Sequence, residues 1–314
     1  MLTIGVDIGG TKIATGVVDE NGKILDQIRV ATDPEHPASI DKAIADSCNM
    51  LMEKYDVGGI GVAAAGFVNS DRQTVAFAPN IDWRDYPLAK NIKSLLNKPV
   101  PVVVENDANA AGWAEYRFGK GKGTSDMLML TVGTGLGGAI VVDGKLVRGK
   151  WGAGGEVGHL QIVPHGHTCG CGHEGCWEQY ASGSALTKHA RRAVVARPDL
   201  ADAIVTAAGG EGSKIKGPHV STAALAGDPL AIKIFSELGH WLGHGAASVA
   251  ALLDPEVIVI GGGVASVGDV VLEPARAGFK DRLSAFGHRP LAQIELAELG
   301  NDAGMVGAAD LARN

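Results

Sequence analysis

Three of the four cysteines of this chain fall within one short stretch, and that cluster constrains the fold more than any other feature of the sequence. They are Cys169, Cys171 and Cys176, separated mostly by glycines that let a backbone fold tightly around one ion. Three thiolates and one imidazole complete the tetrahedral shell of a structural Zn²⁺ and leave no position for water. The spacing predicts a structural zinc site. It leaves the fourth ligand open among four nearby histidines, which are His159, His165, His167 and His173.

The alternatives for these cysteines are a disulfide or unrelated reduced thiols. The N-terminus has neither the basic segment nor the cleavage site of a secretory leader, so we expect a cytoplasmic protein, in which disulfides are rare. The net charge of −7 gives no electrostatic footprint for nucleic acid. No apolar run reaches the roughly 20 residues that span a bilayer. We therefore expect neither nucleic acid nor a membrane as partner.

Two glutamates flank the cysteine cluster, Glu156 before it and Glu178 directly after it. A metal that fixes these loops would also fix both carboxylates. We interpret the zinc as a scaffold for a polar pocket. The alternative is that both glutamates are ordinary surface charges, which is the usual state of glutamate.

Strand-like segments end in glycine-rich turns at three places. The first turn, Asp7–Lys12, leads into another strand-like run, whereas the glycine turn of a P-loop or Rossmann unit leads into a helix. The pattern therefore predicts a phosphate-binding hairpin with Asp7 at the strand end. The turn Gly133–Gly138 repeats this construction, and Gly261–Gly263 after a third strand is suited to an adenine or a ribose.

Strands and helices alternate along the chain, which predicts an α/β fold. The apolar run Val102–Val104 ends in Asn106 and Asp107, and the carboxyl ends of strands in open α/β sheets are where ligands bind. The alternative for Asp107 is a helix cap. The predicted helices span about 39–54, 88–96, 108–116, 178–196, 219–226, 229–253, 272–283 and 303–312.

Together these motifs resemble the ROK family of sugar kinases and repressors, and among them the glucokinases of actinobacteria. The resemblance implies the actin-like, ribonuclease H-like ATPase fold with two α/β domains and a cleft between them. It implies a small domain over 1–107, completed by 301–314, and a large zinc-bearing domain over 108–300. Repressors of the family carry a winged helix ahead of the first glycine turn, and we expect none here because that turn begins at Asp7.

The resemblance also implies an activity, the phosphorylation of glucose at its 6-hydroxyl by Mg·ATP with Asp107 as general base, in a homodimer or homotetramer. The apolar face of the predicted helix 229–253 also favours an oligomer, although such a face is more often core. Sugar contacts would come from Gly66, Asn80, Asn106, Asp107, Glu156, His159 and Glu178. ATP contacts would come from Asp7, Gly9, Gly10, Thr11, Lys12, Gly133, Thr134, Gly135, Gly137, Gly138, Gly262 and Gly263. Zinc would be held by His159, Cys169, Cys171 and Cys176.

Four alternatives stay open at this point. A kinase for N-acetylmannosamine or N-acetylglucosamine would share every motif. Polyphosphate as the donor would require a basic groove, which an acidic chain does not favour. A sugar-sensing regulator would bind sugar without consuming ATP, and a purely structural zinc module would leave the three glycine turns unexplained.

Overall fold

The computed structural model describes residues 1–33, 36–79 and 81–313, which form an α/β architecture. Its strands are β1 (Thr3–Ile8), β2 (Lys12–Val18), β3 (Ile24–Ala31), β4 (Ile60–Ala64), β5 (Phe67–Val68), β6 (Val75–Phe77), β7 (Arg84–Tyr86), β8 (Val102–Asn106), β9 (Met127–Val132), β10 (Leu136–Val142), β11 (Lys145–Leu146), β12 (Val257–Gly261) and β13 (Gln293–Leu296). Its helices are α1 (Pro37–Lys54), α2 (Leu88–Leu95), α3 (Asp107–Phe118), α4 (Gly183–Ala196), α5 (Asp202–Ala207), α6 (Gly217–Leu225), α7 (Pro229–Leu253), α8 (Asp269–Arg282) and α9 (Ala303–Leu311).

The chain divides into two compact units. The first comprises Met1–Ser125, Ala139–Gly155 and Glu298–Asn314, and the second comprises Asp126–Gly138 and Glu156–Ala297. The domains predicted at 1–107 with 301–314 and at 108–300 stay a prediction.

The sheet of the first unit has the strand order β3-β2-β1-β4-β8. Strands β1, β4 and β8 run parallel, with Asp7 level with Ala63 and Glu105. Their carboxyl ends therefore meet at one edge. The predicted hairpin at the first glycine turn is confirmed, because β1 pairs antiparallel with β2. Alternating apolar side chains of β1, such as Ile4 and Val6, are fully buried in the core beneath α1 and α2.

The backbone of helix α9 packs directly against the backbone of strands β1 and β4. A Cβ atom at Gly5 would overlap the Met305 carbonyl oxygen, and one at Gly61 would overlap that of Ala308. Glycine is required at both positions because no side chain fits between helix and strand. The first turn of α9 also reaches the edge of the sheet where the strands end at their carboxyl side. A Cβ atom at Gly304 would lie 3.0 Å from Asp7 Cγ.

In the second unit, β12 pairs in parallel with β9 on one side and β13 on the other. The long helix α7 packs against α8 so closely that a Cβ atom at Gly239 would lie 2.7 Å from Pro274 Cβ. Buried residues such as Phe235 and Leu242 lie along the same helix. The apolar face of α7 therefore belongs largely to the core of its own unit and gives no support to an oligomer.

The sequence prediction differs from the structure at two helical segments. The helix predicted from residue 178 begins at Gly183, because the Ser182 hydroxyl accepts from Ala185 N at 3.1 Å and caps α4 there. Residues Trp177–Gln179 form a separate 3₁₀ turn. Helix α5 was not predicted, since a six-residue segment is too short to show helical periodicity. Among the described residues, no helix has the length and apolar content needed to cross a membrane.

Candidate active site

Asp107 lies at the junction of β8 and α3, where Asn106 is the helix cap. The Asn106 Oδ1 atom accepts from Asn109 N at 2.9 Å, and its Nδ2 atom donates to the Gly66 carbonyl at 3.0 Å. One amide thus caps α3 and holds the loop after β4. The cap considered for Asp107 in the sequence is provided by its neighbour, so capping does not explain the aspartate.

The Asp107 carboxylate lies in surroundings that raise its pKa. Its side chain keeps some exposed surface, yet the surrounding protein displaces most of the water near the carboxylate, and this burial raises the pKa. A 2.9 Å hydrogen bond from Ala108 N opposes the shift. A carboxylate with a raised pKa is a stronger base, as proton abstraction from a hydroxyl requires.

Asp7 is a second acid with a shifted titration at the same edge. Burial first, and then the charge of Asp107, raise its pKa from 3.8 to about 6, while Lys12 acts in the opposite direction. Two carboxylates that repel each other in a desolvated setting favour a bound cation, which lowers the cost of their charge.

An ion pair between Glu105 and Arg148 supports the end of β8. Glu105 is 3% exposed and accepts from Arg148 Nε at 2.7 Å, with Arg72 Nε at 3.7 Å. Its other oxygen accepts from Asn109 Nδ2 at 3.2 Å. These contacts fix the backbone that carries Asp107. The sequence analysis missed both arginines, because nothing in their spacing connects them to Glu105.

The hairpin turn after β1 is closed by a hydrogen bond from Gly9 N to the Lys12 carbonyl at 3.0 Å. Thr32 donates two hydrogen bonds to this turn. Its hydroxyl donates to the Gly9 carbonyl at 2.8 Å, and its backbone N–H donates to the Thr11 carbonyl at 3.1 Å. Gly10, Thr11 and Lys12 are exposed. The turn is thus tied to β3 and presents its tip to solvent.

The cysteine cluster of the second unit includes His159. The ligand atoms of His159, Cys169, Cys171 and Cys176 all lie within 4.8 Å of one another. The Cys171 and Cys176 sulfurs are 3.6 Å apart, and Cys169 Sγ lies 3.7 Å from His159 Nδ1. A tetrahedral zinc with bonds of about 2.0–2.3 Å places its ligands about 3.6–3.8 Å apart. The donor set and these two distances therefore fit zinc.

The acids beside this cluster are not ordinary surface charges. Glu178 is half-buried, and its Oε1 atom accepts from the Cys169 thiol at 3.0 Å. The Oε1 atom is also 4.0 Å from His159 Nδ1. Glu156 is half-buried as well, and its carbonyl accepts from His159 N at 3.2 Å, which closes the 3₁₀ turn Val157–His159. The fold of the cysteine loop therefore determines where both acids lie.

A cavity of about 860 Å³ opens beside the second glycine turn, entirely within the second unit. Its floor is tied to the start of α4, because Gly183 N donates to the Gly133 carbonyl at 2.8 Å and Ser184 N to that of Thr134 at 3.1 Å. The third glycine turn is adjacent, since a Cβ atom at Gly262 would lie 2.6 Å from the Val132 carbonyl oxygen. The lining includes Gly133, Thr134, Ser184, Thr187, Lys188, Arg191, Arg192, Pro218, Ser221, Gly263 and Ser266.

The sequence prediction missed most of this lining, including the basic residues Lys188, Arg191 and Arg192. Arg191 and Arg192 follow Lys188 by three and four residues, so the three side chains form a basic stripe on one face of α4. Arg191 is fixed by two hydrogen bonds to the Ile215 carbonyl, at 3.1 and 2.9 Å. The cavity is therefore positively charged on one wall.

The predicted site residues thus fall into two groups, one in each unit. Asp7, the first turn, Gly66, Asn106 and Asp107 belong to the first unit, and the cysteine cluster, both glutamates and the other two glycine turns belong to the second. Asn80 lies outside the described residues.

Comparison with known proteins decides the family, since a sequence model of the ROK family matches residues 3–314. The chain belongs to the ROK family. Over 312 residues it is 49% identical to the glucokinase of Streptomyces coelicolor, covering 99% of this chain and 98% of that protein. It is 33% identical over 318 residues to the N-acetylmannosamine kinase of Escherichia coli O1:K1, covering 100% and 99%.

The fold comparison agrees with the sequence comparison. A crystal structure of the ROK glucokinase of Streptomyces griseus, in complex with glucose and AMPPNP, matches with a TM-score of 0.90 and 50% identity, covering 100% of this chain and 99% of that one. The predicted ROK membership and actin-like α/β fold are therefore confirmed.

Proposed function

We propose that this ROK protein is a glucokinase, which transfers the γ-phosphoryl group of ATP to the 6-hydroxyl of glucose. The relatives named above support the activity, because glucokinases match at 49–50% identity over nearly the whole chain and the N-acetylmannosamine kinase at 33%. The observation that carries the mechanism is Asp107, a desolvated carboxylate at a strand end that does not serve as the helix cap.

In this mechanism Asp107 accepts the proton of the 6-hydroxyl as the oxygen attacks the γ-phosphorus. Phosphoryl transfer needs an aligned nucleophile, and a fixed carboxylate provides both alignment and deprotonation. The hydrogen bonds of Asn106 hold the Gly66 loop in register with this carboxylate. We assign contacts with the remaining sugar hydroxyls to Gly66, Asn80, Asn106, Glu156, His159 and Glu178, since polar groups held at fixed positions select hydroxyl groups by geometry.

We place the nucleotide at the cavity beside the second glycine turn. Its volume of about 860 Å³ lies within the range of small-molecule sites, and the basic wall of α4 suits a polyanion. Gly133, Thr134, Gly135, Gly137, Gly138, Gly262 and Gly263 are the assigned contacts in the second unit. The phosphates would meet the first turn, from Gly9 to Lys12, and Asp7 would hold Mg²⁺ through water, because Mg²⁺ keeps much of its hydration shell.

We assign a structural zinc to His159, Cys169, Cys171 and Cys176. Four protein ligands leave no open coordination position, so the ion would order the loop that carries Glu178 and do no chemistry. The homodimer or homotetramer rests on the family resemblance alone. Light scattering at micromolar concentration tests it, and a monomer would contradict it.

The activity is tested by a coupled assay with ATP and five sugars: glucose, mannose, fructose, N-acetylmannosamine and N-acetylglucosamine. We expect the highest kcat/KM for glucose. A higher value for either N-acetylhexosamine would overturn the assignment of substrate while keeping the kinase. Glucose binding without ATP consumption would show a sensor instead of an enzyme, and a higher rate with polyphosphate would replace the donor.

A further inference from the structure

Two glycines of the second turn have different surroundings. A Cβ atom built on Gly133 would meet nothing within 4 Å, whereas one built on Gly135 would lie 2.9 Å from Glu178 Oε2. Neither glycine has a positive φ, so backbone conformation does not demand glycine at either position. The absence of a side chain at Gly135 therefore leaves room for the carboxylate of Glu178.

Glu178 is held at its other oxygen. Its Oε1 atom accepts from Gln179 Nε2 at 3.4 Å and lies 3.0 Å from Cys169 Sγ. The carboxylate thus spans the space between the cysteine loop and the glycine turn. Its Oε2 atom occupies the volume that a side chain at residue 135 would need.

We propose that Gly135 is a positioning residue for the sugar, acting through Glu178, and that phosphate contact is not what requires glycine there. The proposal rests on the sugar role of Glu178 given under the proposed function. A methyl group at residue 135 would push the Glu178 carboxylate out of position. The clash is with the far end of a flexible side chain, so the fold can accommodate it while the carboxylate moves.

The test compares Gly135→Ala with Gly133→Ala, its matched control in the same turn. Glucose and AMPPNP dissociation constants are measured separately by calorimetry on zinc-loaded full-length protein, with melting temperature and zinc content for each variant. We expect Gly135→Ala to weaken glucose binding by about tenfold or more, the effect of losing a hydrogen bond to a charged group. Melting temperature and zinc content should stay near wild type, and AMPPNP affinity should change less than glucose affinity. Gly133→Ala should leave glucose affinity unchanged whatever it does to AMPPNP affinity, because Gly133 is assigned to the nucleotide and a Cβ atom there meets no neighbour.

A double-mutant cycle then tests whether the effect passes through Glu178. Once Glu178→Ala has removed the carboxylate, adding Gly135→Ala should cause no further loss of glucose affinity. A full effect of Gly135→Ala in the Glu178→Ala background would overturn the inference. So would a loss of AMPPNP affinity without a loss of glucose affinity, or no effect of Gly135→Ala on either ligand.

The same set separates this inference from the proposed function. If Glu178→Ala alone leaves glucose affinity unchanged, the sugar role of Glu178 is wrong and the positioning role of Gly135 is wrong with it. If Glu178→Ala weakens glucose binding while Gly135→Ala does not, only the positioning role is wrong.

Discussion

The strand end around Asp107 and the loop around the cysteine cluster are both built to hold acids, yet they do so in opposite ways. At the strand end, Asp7 and Asp107 are desolvated and their pKa values are raised, so the fold keeps them in a costly environment. In the loop, Glu178 follows Cys176 by two residues and its Oε1 atom lies 3.0 Å from Cys169 Sγ, so the fold of the cluster fixes its position. The difference fits the proposed roles, because a base gains reactivity from an unfavourable environment, whereas a group that selects a sugar gains from fixed geometry.

The largest effect that this comparison predicts is that of Asp107→Asn. We expect kcat to fall by a factor of roughly 10² to 10⁴, the contribution usual for a general base. Glucose Kd should stay near wild type, and the melting temperature should not fall, because Asn106 caps the helix and the substitution removes a carboxylate whose pKa is raised by burial. Steady-state kinetics, calorimetry and thermal melting on this one variant test the three quantities. A kcat within about threefold of wild type would exclude a general base.

Cys171→Ser should affect the loop and leave the strand end intact. Loss of one zinc ligand should remove the metal, weaken glucose binding and lower the melting temperature by several degrees together, because metal binding is coupled to folding. The measurements are zinc per chain by mass spectrometry, glucose Kd and Tm. The control is Cys48→Ala, a buried cysteine in the core of the first unit, which should keep its zinc and its glucose affinity. If Cys171→Ser retains zinc and activity, the ligand set is wrong.

Arg148→Met tests the support of the strand end. It leaves Glu105 buried with only the more distant Arg72, and we expect a loss of about 3 kcal/mol in the free energy of unfolding, as for other broken buried pairs. The double variant Glu105→Gln, Arg148→Met removes both charges and should recover part of that loss. Urea denaturation of the three proteins gives the values. Equal losses in the single and double variants would show that the charge of Glu105 is not the cause.

Asp7→Asn is expected to have the smallest effect on stability, and of opposite sign. The folded pKa of about 6 exceeds the ordinary value of 3.8, so ionisation of Asp7 destabilises the folded state as pH rises from about 4 to 6. Without ligands, the free energy of unfolding of Asp7→Asn should exceed that of wild type by about 1–3 kcal/mol at pH 7.5. At pH 4 the two free energies of unfolding should be nearly equal.

The same variant tests the catalytic role of Asp7. Turnover should fall far more than glucose affinity does, because Asp7 is assigned to the metal and not to the sugar. Unaltered turnover would refute that assignment. If the difference in free energy of unfolding between Asp7→Asn and wild type does not grow between pH 4 and pH 7.5, the raised pKa of Asp7 is wrong.

Much of the fold was predictable from the sequence because its signals are local. The hairpin at Asp7–Lys12 and the helix Pro229–Leu253 follow from glycine turns and apolar spacing over neighbouring residues. The sequence left a helix cap open as the alternative role of Asp107, since Asn and Asp cap about equally well, and the geometry gives the cap to Asn106.

The unpredicted parts of the site depend on contacts between distant residues. Arg148 meets Glu105 across 43 positions, and Gly135 meets Glu178 only because the cysteine loop folds back on the turn. The fourth zinc ligand is similar, because four histidines were equivalent in spacing and the folded loop brings His159 to the cysteines. Pattern and propensity act along the chain and carry no information on such pairs.

The close packing of α9 on β1 and β4 also affects how the protein is made. The first unit contains the first 125 residues, yet its sheet is covered, and Asp7 is enclosed, only when α9 is present. During synthesis, the N-terminal strands must wait for residues near 305, by which time most of the second unit has left the ribosome. Until then, the face of β1 and β4 that α9 covers in the folded unit lacks that cover.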